Sequence, residues 1–237
     1  MKKYIIILTV AIIFFGITNI ILCFTGRNEN TSTEIQTNED INTLILVNSE
    51  NKLPDDYKIS LCKTQNGEYV AECIYPHLND LFEAAQEQGF SPEITSGYRS
   101  EKEQKKLYNS RVREYLRQGY SLKESKNLAG EYAAEPGHSE HETGLAVDIN
   151  SSTGDKWEFY YRMAENCSKY GFILRYPEGK EDITGIEYEP WHFRYVGKEA
   201  AEYIYKNNLT LEEYTEAQSS SNSLRISSRT LFSILDT

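Results

Sequence analysis

Four histidines occur in the 237 residues, and three of them fall in two short segments dense with other reactive side chains. The first runs Glu135-Pro136-Gly137-His138-Ser139-Glu140-His141-Glu142-Thr143-Gly144-Leu145-Ala146-Val147-Asp148. The second runs Glu187-Tyr188-Glu189-Pro190-Trp191-His192-Phe193-Arg194-Tyr195. Imidazoles and carboxylates are the donors of a hydrolytic zinc site. Such a site needs three protein ligands, one open position for water, and a carboxylate that stays off the metal. His141, Asp148 and His192 would supply two imidazoles and one carboxylate. Asp148 follows His141 by seven positions, and a loop that ends at Gly144 and enters a strand can bring both side chains to one point. Glu189 stands three before His192, close enough to reach water activated there. An isolated histidine is more often a hydrogen-bonded structural residue, so spacing alone leaves that simpler reading open.

Strand and helix signals are interspersed around these segments. Leu44–Val47 reads as a short strand, and Tyr57–Cys62 and Tyr69–Cys73 read as strands around the Asn66-Gly67 turn. Pro76 opens a helix in which Leu78, Leu81, Phe82 and Ala85 recur at helical spacing, stopped by Gly89. Pro92–Thr95 reads as a strand. Ser100 with Glu103, Ser121 with Glu124 and Thr210 with Glu213 have the spacing of helix-capping boxes. Leu145–Ile149, Phe172–Tyr176 and Trp191–Val196 are the remaining strand signals, and Trp157–Tyr170 and Gly197–Tyr205 the remaining helical ones. Without regular βαβ alternation, this pattern predicts an α+β domain over residues 44–215, large enough to bury a core. The Ser-rich residues 216–237 read as a disordered tail.

The chain is 39% hydrophobic and 26% charged, with a net charge of −11 and a mean hydropathy of −0.58. That acidity excludes a nucleic-acid partner, because phosphate binding needs clustered cations. Against it, Ile5–Phe24 carries no charge and would span roughly 30 Å as a helix, the thickness of a bilayer core. Lys2 and Lys3 precede it and acidic residues follow. Residues 1–3 are therefore expected in the cytoplasm, 4–24 as a transmembrane signal anchor and 25–43 as an extracytoplasmic linker, giving a single-pass cell-membrane protein. A cleaved signal peptide is the competing reading, against which stand the length of the run and the lack of a small-x-small site. Cys62 and Cys73 flank the hairpin turn and are read either as a cross-strand disulfide or as two separate thiols.

The pattern Ser-x-His-x-x-Gly-x-Ala-x-Asp (Ser139 to Asp148), followed by Glu-x-x-His-x-Arg-Tyr (Glu189 to Tyr195), resembles the VanY-type D-alanyl-D-alanine carboxypeptidases. The upstream Ser96-Gly97-Tyr98-Arg99-Ser100-x-x-x-Gln104 also matches that family. The resemblance implies a single zinc peptidase domain with a central antiparallel or mixed sheet flanked by helices. It implies Zn2+ held by His141, Asp148 and His192, with Glu189 as catalytic base and acid. It implies Arg99 as oxyanion stabiliser and substrate anchor, with Gln104 and Ser139 as neutral donors in the cleft. The implied activity is removal of the C-terminal D-Ala from a peptidoglycan stem peptide or its precursor by a membrane-anchored enzyme. Two alternatives are L,D-carboxypeptidase action on tetrapeptide stems and a zinc-bearing binding module similar to the hedgehog signalling domains. Retention of Glu189 and Arg99 argues against the second. Of the other residues, His138 reads as capping a turn or orienting a loop, and His77 as surface. Trp191 reads as core packing and Arg194 as a brace for acidic neighbours. Glu101–Glu103 and Glu212-Glu213 read as solvated helix faces.

Overall fold

A computed structural model describes residues 42–220. The Asn-Gly signal is realised as a hairpin in which Gly67 takes φ +96°, a conformation that L side chains rarely adopt. Strand β1 (Leu61–Lys63) there pairs antiparallel with β2 (Tyr69–Ala71). Its register sets Cys62 opposite Val70. Cys73 lies beyond β2 in a short 3-10 turn and is a free thiol, so the cross-hairpin disulfide is not formed. Helix α1 (Tyr75–Glu87) follows, then β3 (Pro92–Ser96), α2 (Glu101–Arg117) and α3 (Leu122–Gly130). All three predicted capping boxes close, at Ser100–Glu103, Ser121–Glu124 and Thr210–Glu213. Strand β4 (Ala146–Ser151) leads to α4 (Lys156–Asn166), β5 (Phe172–Leu174), the one-turn α5 (Glu181–Thr184), β6 (His192–Tyr195) and α6 (Lys198–Lys206). A last helix, α7, covers residues 211–220.

The central sheet has the order β3-β4-β6-β5 and is antiparallel throughout. Side chains alternate faces along a strand. Val147, Ile149, Phe193 and Tyr195 join Leu78 and Leu81 of α1 and Phe159 and Met163 of α4 in the main core. A smaller core gathers Ile173, Val196, Ala201, Ile204, Leu211 and Tyr214 under α6 and α7.

Two sequence expectations are corrected. Leu44–Val47 is an irregular strap rather than a strand. The carbonyls of Thr43 and Ile45 are taken by the guanidinium of Arg194, at 3.0 and 2.8 Å, instead of by a neighbouring strand. Residues 216–220 continue α7. Thr210 starts that helix by accepting from Glu213 N at 3.2 Å, and a nucleated helix propagates cheaply through exposed residues. No helix among the described residues is long and apolar enough to cross a membrane. The expected anchor at 4–24, most of the linker and residues 221–237 lie outside the described residues.

Candidate active site

The sheet carries the three motifs to one line. Ser96 at the end of β3 is the register partner of Asp148 in β4, and Asp148 is the partner of His192 in β6. His141 joins them from the 3-10 turn Glu140–Thr143, which ends at Gly144 with φ +71° before β4 begins. The Ser96–Arg99 segment grips this turn twice. Arg99 N donates to His141 O at 3.0 Å, and His141 Nδ1 donates to Gly97 O at 2.9 Å. Position 97 must be Gly, because a Cβ there would overlap the carbonyl oxygen of Tyr69.

His141 thus turns Nε2 toward Asp148 Oδ2, 3.5 Å away, while Asp148 Oδ1 stands 3.0 Å from His192 Nδ1. One donor atom from each of His141, Asp148 and His192 lies within 4.8 Å of the others, so the three could hold a metal ion together. Two imidazoles and one carboxylate form a donor set that suits zinc. Each imidazole is also held through its second nitrogen, His141 by Gly97 O and His192 by Glu140 Oε2 at 3.4 Å. Such outer contacts orient metal-binding histidines. The residues present fit the ion.

The charges agree. Burial alone would push the Asp148 carboxyl up, but hydrogen bonds from His141 and His192 outweigh it and hold the group below the usual carboxylate range. Burial disfavours a charged His192, yet its bonds to Asp148 and Glu140 push it up to about 9. The pocket therefore attracts a cation, and a metal would displace the proton. Glu189 lies in the loop before β6 with Oε2 3.8 Å from His192 Nδ1 and its side chain 29% exposed. Burial pushes its carboxyl up, partly offset by His192 and reinforced by Asp148.

Arg99 donates to Gln104 Oε1 at 2.7 Å and to Ser96 Oγ at 2.9 Å. Gln104 is 1% exposed and spends its amide nitrogen on Ala134 O at 2.7 Å. Its amide is thus committed to bracing Arg99 and the 134 loop. Ser139 heads the His141 turn and is buried, its backbone N donating to Glu142 Oε1 at 3.4 Å.

Arg194 braces an acidic neighbour as expected, Glu140, but the buried ionic network it belongs to behind the cluster was passed over by sequence reasoning. Glu140 Oε1 accepts from Arg175 Nε at 2.8 Å and Arg194 Nη1 at 2.7 Å, with all three side chains 0% exposed. Arg175 also forks onto Glu212 at 2.9 and 2.6 Å. Glu212 is therefore no solvated helix residue, and Glu213 pairs with Lys180 at 3.0 Å. Glu101 to Glu103 are exposed as expected. His138 orients a loop, its Nδ1 donating to Asn48 O at 2.7 Å. His77 is not simply surface, since it stacks on Tyr195 with ring centroids 5.1 Å apart. Trp191 packs against the main core.

A family model for the D-alanyl-D-alanine carboxypeptidase VanY matches residues 67–198. A D-alanyl-D-alanine carboxypeptidase of Enterococcus faecalis is 46% identical over 180 residues, covering 74% of this chain and 66% of the relative. Among solved structures, VanYB in complex with D-alanine-D-alanine is 45% identical with a TM-score of 0.70, covering 73% of this chain and 97% of that one. The LdcB LD-carboxypeptidase is 40% identical with a TM-score of 0.63, covering 74% of this chain and 86% of that one. The chain thus spans about two thirds of the length of the curated relative and nearly all of the VanYB structure. On the strength of the matched family model, the relatives' identity and the His-Asp-His cluster at the centre of the sheet, the chain belongs to the VanY family of D-alanyl-D-alanine carboxypeptidases.

Proposed function

We propose that this chain is a zinc-dependent D-alanyl-D-alanine carboxypeptidase that removes the C-terminal D-Ala from peptidoglycan stem peptides. The observation that carries the reading is the meeting of His141, Asp148 and His192 within 4.8 Å, with the Glu189 carboxylate beside them. Bound by those three residues, zinc supplies a Lewis acid and lowers the pKa of water toward about 7. Glu189 takes a proton from the attacking water on its carboxylate and returns it to the amine of the departing D-Ala. Burial favours the protonated form of Glu189, which suits a group that must hold the proton between the two steps. Arg99 has further N–H donors beyond those engaged by Gln104 and Ser96, and these serve the substrate carboxylate and the developing oxyanion. Gln104 acts through Arg99, and Ser139 is the neutral donor at the mouth of the His141 turn.

The likeness to LdcB favours a second reading, L,D-carboxypeptidase action, that the same cluster would support. Incubation of the protein with pentapeptide and tetrapeptide stems, read by mass, separates the two. The expected result is loss of a single D-Ala from the pentapeptide, abolished by a chelator and restored by zinc. Cleavage of the tetrapeptide alone would establish the second reading, and cleavage of neither by zinc-loaded protein would defeat both.

The proposal extends to a membrane anchor at residues 4–24, supported by the uncharged run Ile5–Phe24 after Lys2 and Lys3. The full-length chain should fractionate with membranes. Its recovery from the medium as a shorter form beginning near residue 25 would overturn the anchor.

A further inference from the structure

Glu140 stands between Ser139 and His141, and its contact with His192 decides more than the orientation of that ring. Its carboxylate is fully buried and meets three groups. Arg175 Nε and Arg194 Nη1 share Oε1, at 2.8 and 2.7 Å, and Oε2 faces His192 Nε2 at 3.4 Å. We propose that Glu140 is a positioning residue for the metal site, accepting the Nε2 proton of His192 so that Nδ1 is the bare nitrogen left for the metal beside Asp148. The inference rests on the metal-site reading above.

A ligating histidine must offer an unprotonated nitrogen, and the partner of its other nitrogen decides which one that is. His192 Nδ1 is the atom beside Asp148 Oδ1, at 3.0 Å, and Glu189 Oε2, at 3.8 Å. Nε2 points the other way, into the buried network. An ionised carboxylate can only accept, so once a metal takes up Nδ1 and the Asp148 carboxylate, Glu140 admits a single arrangement in neutral His192, with the proton on Nε2. The two guanidinium groups keep Oε1 occupied and leave Oε2 for the imidazole. They also make a sharp test available.

In a Glu140→Gln variant, Arg175 and Arg194 still require an acceptor at the Oε1 position, so the amide oxygen must lie there. The amide NH2 then faces His192 Nε2 and can only donate. Nε2 becomes an acceptor, and the imidazole proton moves to Nδ1, on the metal side. Zinc affinity, measured by competition with a chromophoric chelator on the full-length protein, should fall about 10- to 100-fold. Glu212→Gln is the control, because it loosens the Arg175 fork from the opposite end without touching His192. It should leave zinc affinity unchanged. Wild-type affinity in Glu140→Gln, or equal weakening in both variants, would overturn the inference. Should Glu140→Gln fail to fold, the zinc-loaded wild-type protein decides. Long-range proton–nitrogen correlations should find the His192 proton on Nε2, and a proton on Nδ1 refutes the assignment. A wild-type chain that binds no zinc would instead bring down the metal-site reading itself.

Discussion

Glu189→Gln should lower kcat by about 10²–10⁴-fold, the usual loss when a general acid–base is removed, while zinc content and KM stay near those of the wild type. Gln keeps the volume of Glu and can still hydrogen-bond, but it cannot accept a proton from water. The side chain is not among the three whose donor atoms cluster, and it is partly exposed at 29%. Its replacement therefore strips no donor from the site and leaves no buried charge unpaired. An interaction needed only while a proton is in flight appears in kcat and not in substrate binding. Steady-state kinetics on a pentapeptide stem, together with metal analysis of the same sample, measure both quantities. Loss of zinc would mean that Glu189 helps to hold the metal. Wild-type turnover would mean that another group moves the proton.

How much of this was legible in the sequence differs by element, for physical reasons. The capping boxes at Ser100 and Ser121 and the Asn66-Gly67 turn are local devices, decided by residues three or fewer positions apart, and all three form. The candidate cluster was legible because its members are rare residue types gathered into short motifs. What spacing could not supply was the register that makes Ser96, Asp148 and His192 neighbours across three strands. Glu140 was passed over because its partners, Arg175, Arg194 and His192, come from distant segments, and nothing local marks a pair of charges as buried. Glu212 was misread for the same reason, since an acidic pair on a helix usually faces solvent. The strap at Leu44–Val47 has a strand's composition, but the carbonyls of Ile45 and of the preceding Thr43 answer to a guanidinium 149 and 151 residues away.

Arg194→Met should destabilise the domain by about 3–5 kcal/mol, the typical result of removing one partner from a buried ion pair. With about 2–4 °C per kcal/mol for a domain of this size, Tm should fall by roughly 6–20 °C. Arg194 is 0% exposed, and its guanidinium serves four acceptors on three parts of the chain. These are Glu140 Oε1 at 2.7 Å, the carbonyls of Thr43 and Ile45 at 3.0 and 2.8 Å, and Tyr195 O at 3.1 Å. In the intact network Glu140 and Glu212 are balanced by Arg175 and Arg194. Met fills much of the space of the arginine stem but leaves one carboxylate charge uncompensated and releases the strap over residues 43–45. Thermal unfolding in a chelator is the measurement to make, because bound metal would add its own stabilisation to the folded state. Arg111→Met supplies the contrast, since Arg111 pairs with Glu114 at 3.0 Å with both side chains about half exposed, where such pairs contribute about 0–1 kcal/mol. If both variants melt alike, the Arg194 network is not what fastens the strap to the sheet.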